Sequence, residues 1–213
     1  MKKIATRLLL LMFVAFATTQ SLAQTTSATT LNTTISSNIL TYTPKANDVL
    51  TYRVTTPNAS YNFTVILKTW RPTLAFDWVM SGDVNQKGAI AFDNADAADA
   101  MGINNFFTPG AVTLQGQTSV WLSARAHKLL KSNVVANIVF DNARVADGLK
   151  NCGIENFTFD FNGVKTTMPY IKASNDAACS GAKTLWVLDD AQSPLIVYMN
   201  LGWTIELKSI KQQ

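Results

Sequence analysis

The chain has 213 residues, 47% hydrophobic and 15% charged, with aromatic and aliphatic side chains ample for the core of one domain. Eighteen basic residues stand against fourteen acidic ones, but Lys2, Lys3 and Arg7 lie in the first 23 positions, where no acid occurs; without them the net charge falls from +4 to +1. No Lys/Arg cluster interleaved with aromatics remains to contact phosphates, which argues against nucleic acid as a partner.

The first residues follow the pattern of a secretory signal. Lys2, Lys3 and Arg7 form a basic start, and Leu8 to Ala17 supply about ten apolar residues, too few to span a bilayer. Ser21-Leu22-Ala23 is the preferred cleavage site, with Ala15-Phe16-Ala17 the weaker one. No cysteine follows either site to serve as an acylation point. The expected product is a soluble exported protein, periplasmic or extracellular, with no integral span after cleavage. Its expected organisation is a signal peptide over 1–23, a Thr/Ser-rich flexible leader over 24–47 and a single β-rich domain over 48–213.

Val49 to Thr56 and Tyr61 to Trp70 read as strands joined by a turn at Pro57-Asn58-Ala59-Ser60. In the second, Tyr61, Phe63, Val65 and Leu67 share one face. Leu74 to Met80 and Gly88 to Phe92 continue an antiparallel meander through a turn at Ser81-Gly82-Asp83. The alanine-rich run Ala95 to Met101 then suits a short helix, capped by Asn94 or Asp93 and ended by Gly102.

This stretch has an echo. Ile90 to Phe106 recurs as Ile138 to Phe157, with eleven of seventeen aligned positions identical and a three-residue insertion carrying Cys152. Both copies read as a strand ending in an Asx cap, a helical turn and a Gly break, from a local duplication or from chance reuse of one strand-to-helix grammar. Their aspartates lack the alternating oxygen ligands of a calcium loop.

Between the copies, Thr118 to Leu122 reads as a short strand. Ser123 caps a helix over Ala124 to Lys131, whose Ala126, Leu129 and Leu130 recur at helical spacing and whose C-terminal lysines suit its dipole. Asn133 ends it, and Val134 to Phe140 returns as strand. His127, the only histidine, sits among lysines on a helix expected to be exposed, with no nucleophile motif beside it.

Glu155 to Phe161 and Val164 to Lys172 form a hairpin about Asn162-Gly163, a pair suited to a type I′ turn. That register puts Cys152 opposite about residue 173, from where Ser174 to Ala178 can loop back to bring Cys179 within reach. A Cys152–Cys179 disulfide is the first reading of an even cysteine count in an exported chain, and free structural thiols are the alternative. Two cysteines and one histidine lack the spacing of a metal site, and no Gly-rich loop opens a helix for a phosphate or dinucleotide, so neither metal nor cofactor is expected.

The closing stretch, Thr184 to Ile210, holds three strands. Leu195 to Met199 is apolar on both faces, the mark of a strand covered on both sides at the centre of a sheet. Asp189-Asp190 precedes the turn residues Ala191 to Pro194 and reads as a solvated turn pair rather than an acid–base couple. The fold class is therefore mainly β: a curved antiparallel sheet or incomplete β-barrel with one or two short helices packed on it. No catalytic constellation is present, which favours a non-enzymatic protein. Eleven Phe, five Trp and five Tyr must be housed, either wholly in a packed core or partly along a concave face left open as an apolar groove. Trp186, Trp203, Ile205 and Leu207 are the candidate lining residues.

Several segments carry a resemblance: Thr118-Ser119-Val120-Trp121-Leu122-Ser123, Leu129-Leu130-Lys131, Phe161-Asn162-Gly163-Val164-Lys165, Leu185 to Asp190, Pro194-Leu195-Ile196 and Glu206 to Ile210. Together they resemble a group of uncharacterised exported proteins of Bacteroidetes-like bacterial envelopes, over Asp48 to Ile210. More distantly the tail is similar to periplasmic lipoprotein-carrier domains. That similarity implies a half-open barrel with an acyl-binding concavity and no particular ligand residue. The expected function is binding of an apolar or lipid-like ligand in the concave sheet, or of another envelope component. A structural or protein-interaction module without a small ligand is the alternative, and an unrecognised hydrolase ranks third.

Overall fold

A computed structural model of the chain describes residues 41–213 apart from Asp83. The expected signal peptide and the leader up to residue 40 lie outside the described residues. Folded structure begins before the expected boundary at Asp48, because Tyr42 is buried and packs edge-on against Phe161. Asp48 holds it there: its carboxylate accepts from the Tyr42 hydroxyl at 3.1 Å, the Lys45 amide at 2.9 Å and the Gln212 side chain at 3.1 Å.

The first four strands, β1 (Val49–Thr55), β2 (Ser60–Thr69), β3 (Leu74–Gly82) and β4 (Gln86–Phe92), form the expected meander. Alternation decides which side packs. Leu50, Tyr52 and Val54 of β1, Phe63, Val65 and Leu67 of β2, and Phe76 and Trp78 of β3 are all buried on one face. Helix α1 (Asn94–Asp99) follows with Asp93 as its N-cap, accepting from the Asp96 amide at 2.9 Å. Gly102 does not stop this helix, which ends at Ala100. It opens β5 (Gly102–Ile103), where a Cβ would meet the Gln117 side chain at 2.8 Å. Close strand approach is what requires glycine there.

Two short strands, β6 (Gly110–Thr113) and β7 (Gln117–Thr118), precede helix α2 (Ala124–Lys131). The strand expected over Thr118 to Leu122 stops at Thr118. Val120 turns at φ 66°, and the Trp121 amide donates back to the Ser119 carbonyl at 2.7 Å before Trp121 bridges to Leu195. Ser123 caps α2 as expected, accepting from the Ala126 amide at 3.1 Å.

β8 (Ala136–Phe140) pairs with β9 (Asp147–Phe161), and β9 with β10 (Val164–Ser174). The β9–β10 turn has Asn162 at φ 53° and Gly163 at φ 84°, with Phe161 opposite Val164, as the type I′ reading requires. Cys152 falls in a bulge of β9, between the Gly153–Lys172 and Asn151–Ala173 pairs, and lies at disulfide distance from Cys179 with a Cα separation of 5.8 Å.

β11 (Thr184–Leu188), β12 (Ile196–Asn200) and β13 (Thr204–Lys211) complete one large curved sheet of thirteen strands. Its order is β6-β4-β3-β2-β1-β13-β12-β11-β10-β9-β8-β5-β7, which puts β12 in the middle. Among the described residues the end strands β6 and β7 do not pair with each other, and the thirteen-stranded sheet does not close into a barrel. The sheet nevertheless folds back on itself. One edge of β13 is shared: Thr204 to Glu206 pair with β12, and Ser209 and Ile210 pair in parallel with Asp160 and Phe161 of β9. The β9–β10 hairpin thereby lays Phe157, Phe159, Met168 and Tyr170 over the core.

The two echoed stretches share a sequence and not a conformation. In the first, Asp93 caps a helix. In the second, Asp141 and Asn142 take φ 56° and 58° and the Ala143 amide donates to the Phe140 carbonyl at 2.9 Å, a tight reversal without a helix. Asp141 is therefore not a helix cap. β9 then pairs back antiparallel onto β8, with Asp147 beside Ile138, and residues 141–146 between the two strands hold a turn and no helix. The copies also bind each other, β5 lying parallel to β8.

Candidate binding site in the concave face

One pocket of about 190 Å³ opens at the end of the concave face where β1 meets the β12–β13 turn. The meander supplies Val54, Thr56, Tyr61, Phe63 and Met80, inward-pointing by the alternation that builds the core. Trp203 and Ile205 enter from β13 and the turn before it. Asn105, Phe106 and Phe107 come from the loop between β5 and β6, and Asp141 from the turn after β8.

That loop is fixed from both ends. The Asn104 amide donates to the Thr118 carbonyl at 2.8 Å, and the Asn105 amide to the Asp141 carboxylate at 2.6 Å. Between these anchors Phe107 reaches into the sheet, its ring centroid 4.3 Å from that of Phe63 and 5.5 Å from that of Trp78. Phe106 stays 64% exposed at the rim. Burial pushes the Tyr61 phenol above its ordinary pKa. Asp141 is the one carboxylate in the lining, no Lys, Arg or His lines the pocket, and Asp141 joins no ion pair among the described residues.

Two of the four expected lining residues, Trp203 and Ile205, belong to this pocket, and two do not. Leu207 lies deeper in the core, opposite Tyr52, and is 1% exposed. Trp186 is on the other face of the sheet. It pairs with Tyr198 and Tyr198 with Glu206, whereas the neighbouring Ile205 points into the pocket, and adjacent strand residues face opposite ways. There Trp186 stacks between Tyr198 at 4.3 Å and Tyr170 at 4.9 Å. Sequence reasoning missed the β5–β6 loop, although its one available signal, the pair Phe106-Phe107 inside the turn-rich run Asn104 to Pro109, is visible there.

His127 is not exposed as expected. It is 3% exposed, facing the sheet, with Nε2 at 3.8 Å from an Asp189 oxygen. Asp189 is not a solvated turn acid either: its side chain is 13% exposed and pairs with Lys131. The helical spacing that buries Ala126 and Leu130 carries His127 inward with them. Burial lowers the His127 pKa, opposed by Asp189 and Asp190 and assisted by Lys131. No group of three His, Cys, Asp or Glu gathers among the described residues in a way that could hold a metal.

In comparison with known proteins, the chain matches no family model, no curated protein and no solved structure. Its functional reading therefore rests on its own geometry.

Proposed function

We propose that this is a non-enzymatic exported envelope protein that binds a small apolar molecule in the concave face of its sheet. The aromatic pocket carries the reading: Tyr61, Phe63, Phe106, Phe107 and Trp203 converge on one opening that the core leaves unfilled. Its size narrows the ligand. At about 190 Å³ it is smaller than the roughly 300–1,000 Å³ of sites for drug-sized ligands and close to the roughly 150 Å³ that holds one benzene ring. A ring-sized group fits, and an acyl chain of the kind a lipoprotein carrier holds is too large for the pocket as it stands.

Export is supported by the cysteine pair at disulfide distance, since such bonds persist in oxidising compartments. No helix among the described residues is long and apolar enough to cross a membrane. The alternative, a protein-interaction module of the envelope, draws on β6, which among the described residues is an edge strand paired on one side only, by β4.

Isothermal titration of the intact protein with indole, phenol and cyclohexanol tests the reading. Saturable binding that is lost in Met80→Trp, a substitution that fills the pocket, is the expected result. Absence of saturable binding to the whole panel overturns it.

A further inference from the structure

The chemistry of the pocket lining selects among ring-sized ligands, and this inference rests on the pocket reading above. Five of the lining side chains are aromatic, and aromatic faces carry the negative end of the ring quadrupole. Asp141 adds a carboxylate, and among the described residues no cationic side chain lines the pocket to offset it.

Asp141 is held for this position. Its left-handed conformation, φ 56°, is one that Asp tolerates, and its amide is tied to the Ile103 carbonyl at 2.9 Å. Its carboxylate accepts from the Asn105 amide at 2.6 Å and from the Asn105 side chain at 3.4 Å. Both donors are neutral and a carboxylate offers about four acceptor positions, so charge and acceptor capacity remain for a ligand. Tyr61, Phe106 and Trp203 line the same pocket as this carboxylate, and aromatic rings together with an acid are the residue types by which proteins bind alkylammonium groups.

We infer that the pocket binds a small organic cation, an alkylammonium or quaternary ammonium group, seated among Tyr61, Phe106 and Trp203 with Asp141 as its counter-charge.

Choline and 3,3-dimethylbutan-1-ol have the same shape and differ by one charge, and isothermal titration of the intact protein with each separates shape from charge. Choline is expected to bind roughly tenfold or more tighter than the neutral alcohol. Asp141→Asn is expected to remove most of that preference, read as the ratio of choline to alcohol affinity within the variant, and raised salt to weaken choline alone. Equal or tighter binding of the alcohol overturns the cation inference and leaves the apolar-pocket reading standing. Saturable binding of neither probe, together with none of indole, phenol or cyclohexanol, overturns both. The comparison on the unaltered protein does not depend on how any variant folds.

Discussion

At the scale of single residues, two buried ionisable groups show how differently burial acts. Asp48 is fully buried and its carboxylate gathers three hydrogen bonds that tie residues 42–45 to the C-terminal end of the chain. Asp48→Ala strands the Tyr42 hydroxyl in the core, and is expected to cost about 2–3 kcal/mol in urea unfolding. His127 is buried close to an acid that is already paired with Lys131. Burial holds its folded pKa below the ordinary histidine value of about 6.5, so the unfolded state takes up its proton first as pH falls. The sign follows: full stability above about pH 6.5, and a progressive loss below it, amounting to at most about 2 kcal/mol at pH 5. His127→Gln is expected to flatten that part of the stability–pH curve, as measured by urea midpoints between pH 5 and 7.5. An unchanged slope would mean that His127 is not the group responsible.

Among the elements, the β9–β10 hairpin carries most of the departure from a plain meander. One of its faces is apolar at Phe157, Phe159, Met168 and Tyr170, and its other face shows a Thr158–Thr167 hydrogen bond to solvent. Such a ribbon is stable only if something covers the apolar side, and folding back against the core supplies the cover. The Cys152–Cys179 link closes 27 residues of sequence at the base of this hairpin. Chain-entropy reasoning assigns such a loop about 3.5 kcal/mol, so Cys152→Ser, or reduction of the intact protein, is expected to lower stability by about 2–4 kcal/mol. Mass after alkylation with and without reductant checks the bond, and denaturant unfolding checks its effect. Asn162→Val at the turn, where φ is 53°, is expected to cost about 1–2 kcal/mol, since a β-branched residue is strained there.

Across the whole molecule, β13 is the junction. It pairs along its full length with β1, and shares its other edge between β12 and β9. Ile210 sits where these pairings meet, fully buried, opposite Leu50 and beside Phe161. Ile210→Ala is expected to cost about 2–4 kcal/mol and to raise the protease sensitivity of the β9–β10 hairpin together with β1. Local loosening confined to β13 would argue that the hairpin is held by its own contacts instead.

Local chemistry was enough to read the elements from sequence: the alternation of Phe63, Val65 and Leu67, the Asn162-Gly163 turn, the Ser123 cap and the doubly apolar run Leu195 to Met199 all appear in the structure where short-range rules put them. The mainly β class follows from those elements together. Tertiary structure decided what depends on contacts distant in sequence. The same Asp-Asn pair became a helix cap at Asp93 and a tight turn at Asp141, where the strand that follows pairs back antiparallel onto the one before it. His127 and Asp189, 62 positions apart, became neighbours only when α2 settled on the sheet. For the pocket, strand parity was legible for Trp203 and Ile205 but not the depth that removes Leu207, nor the sheet face that removes Trp186. The loop carrying Asn105 to Phe107 has no periodicity to announce its direction, and its place is set by Thr118 and Asp141, groups that come near only after the sheet has curved. Periodicity states which side of a strand is apolar, while the shape of the curved sheet decides which part of that side is left uncovered.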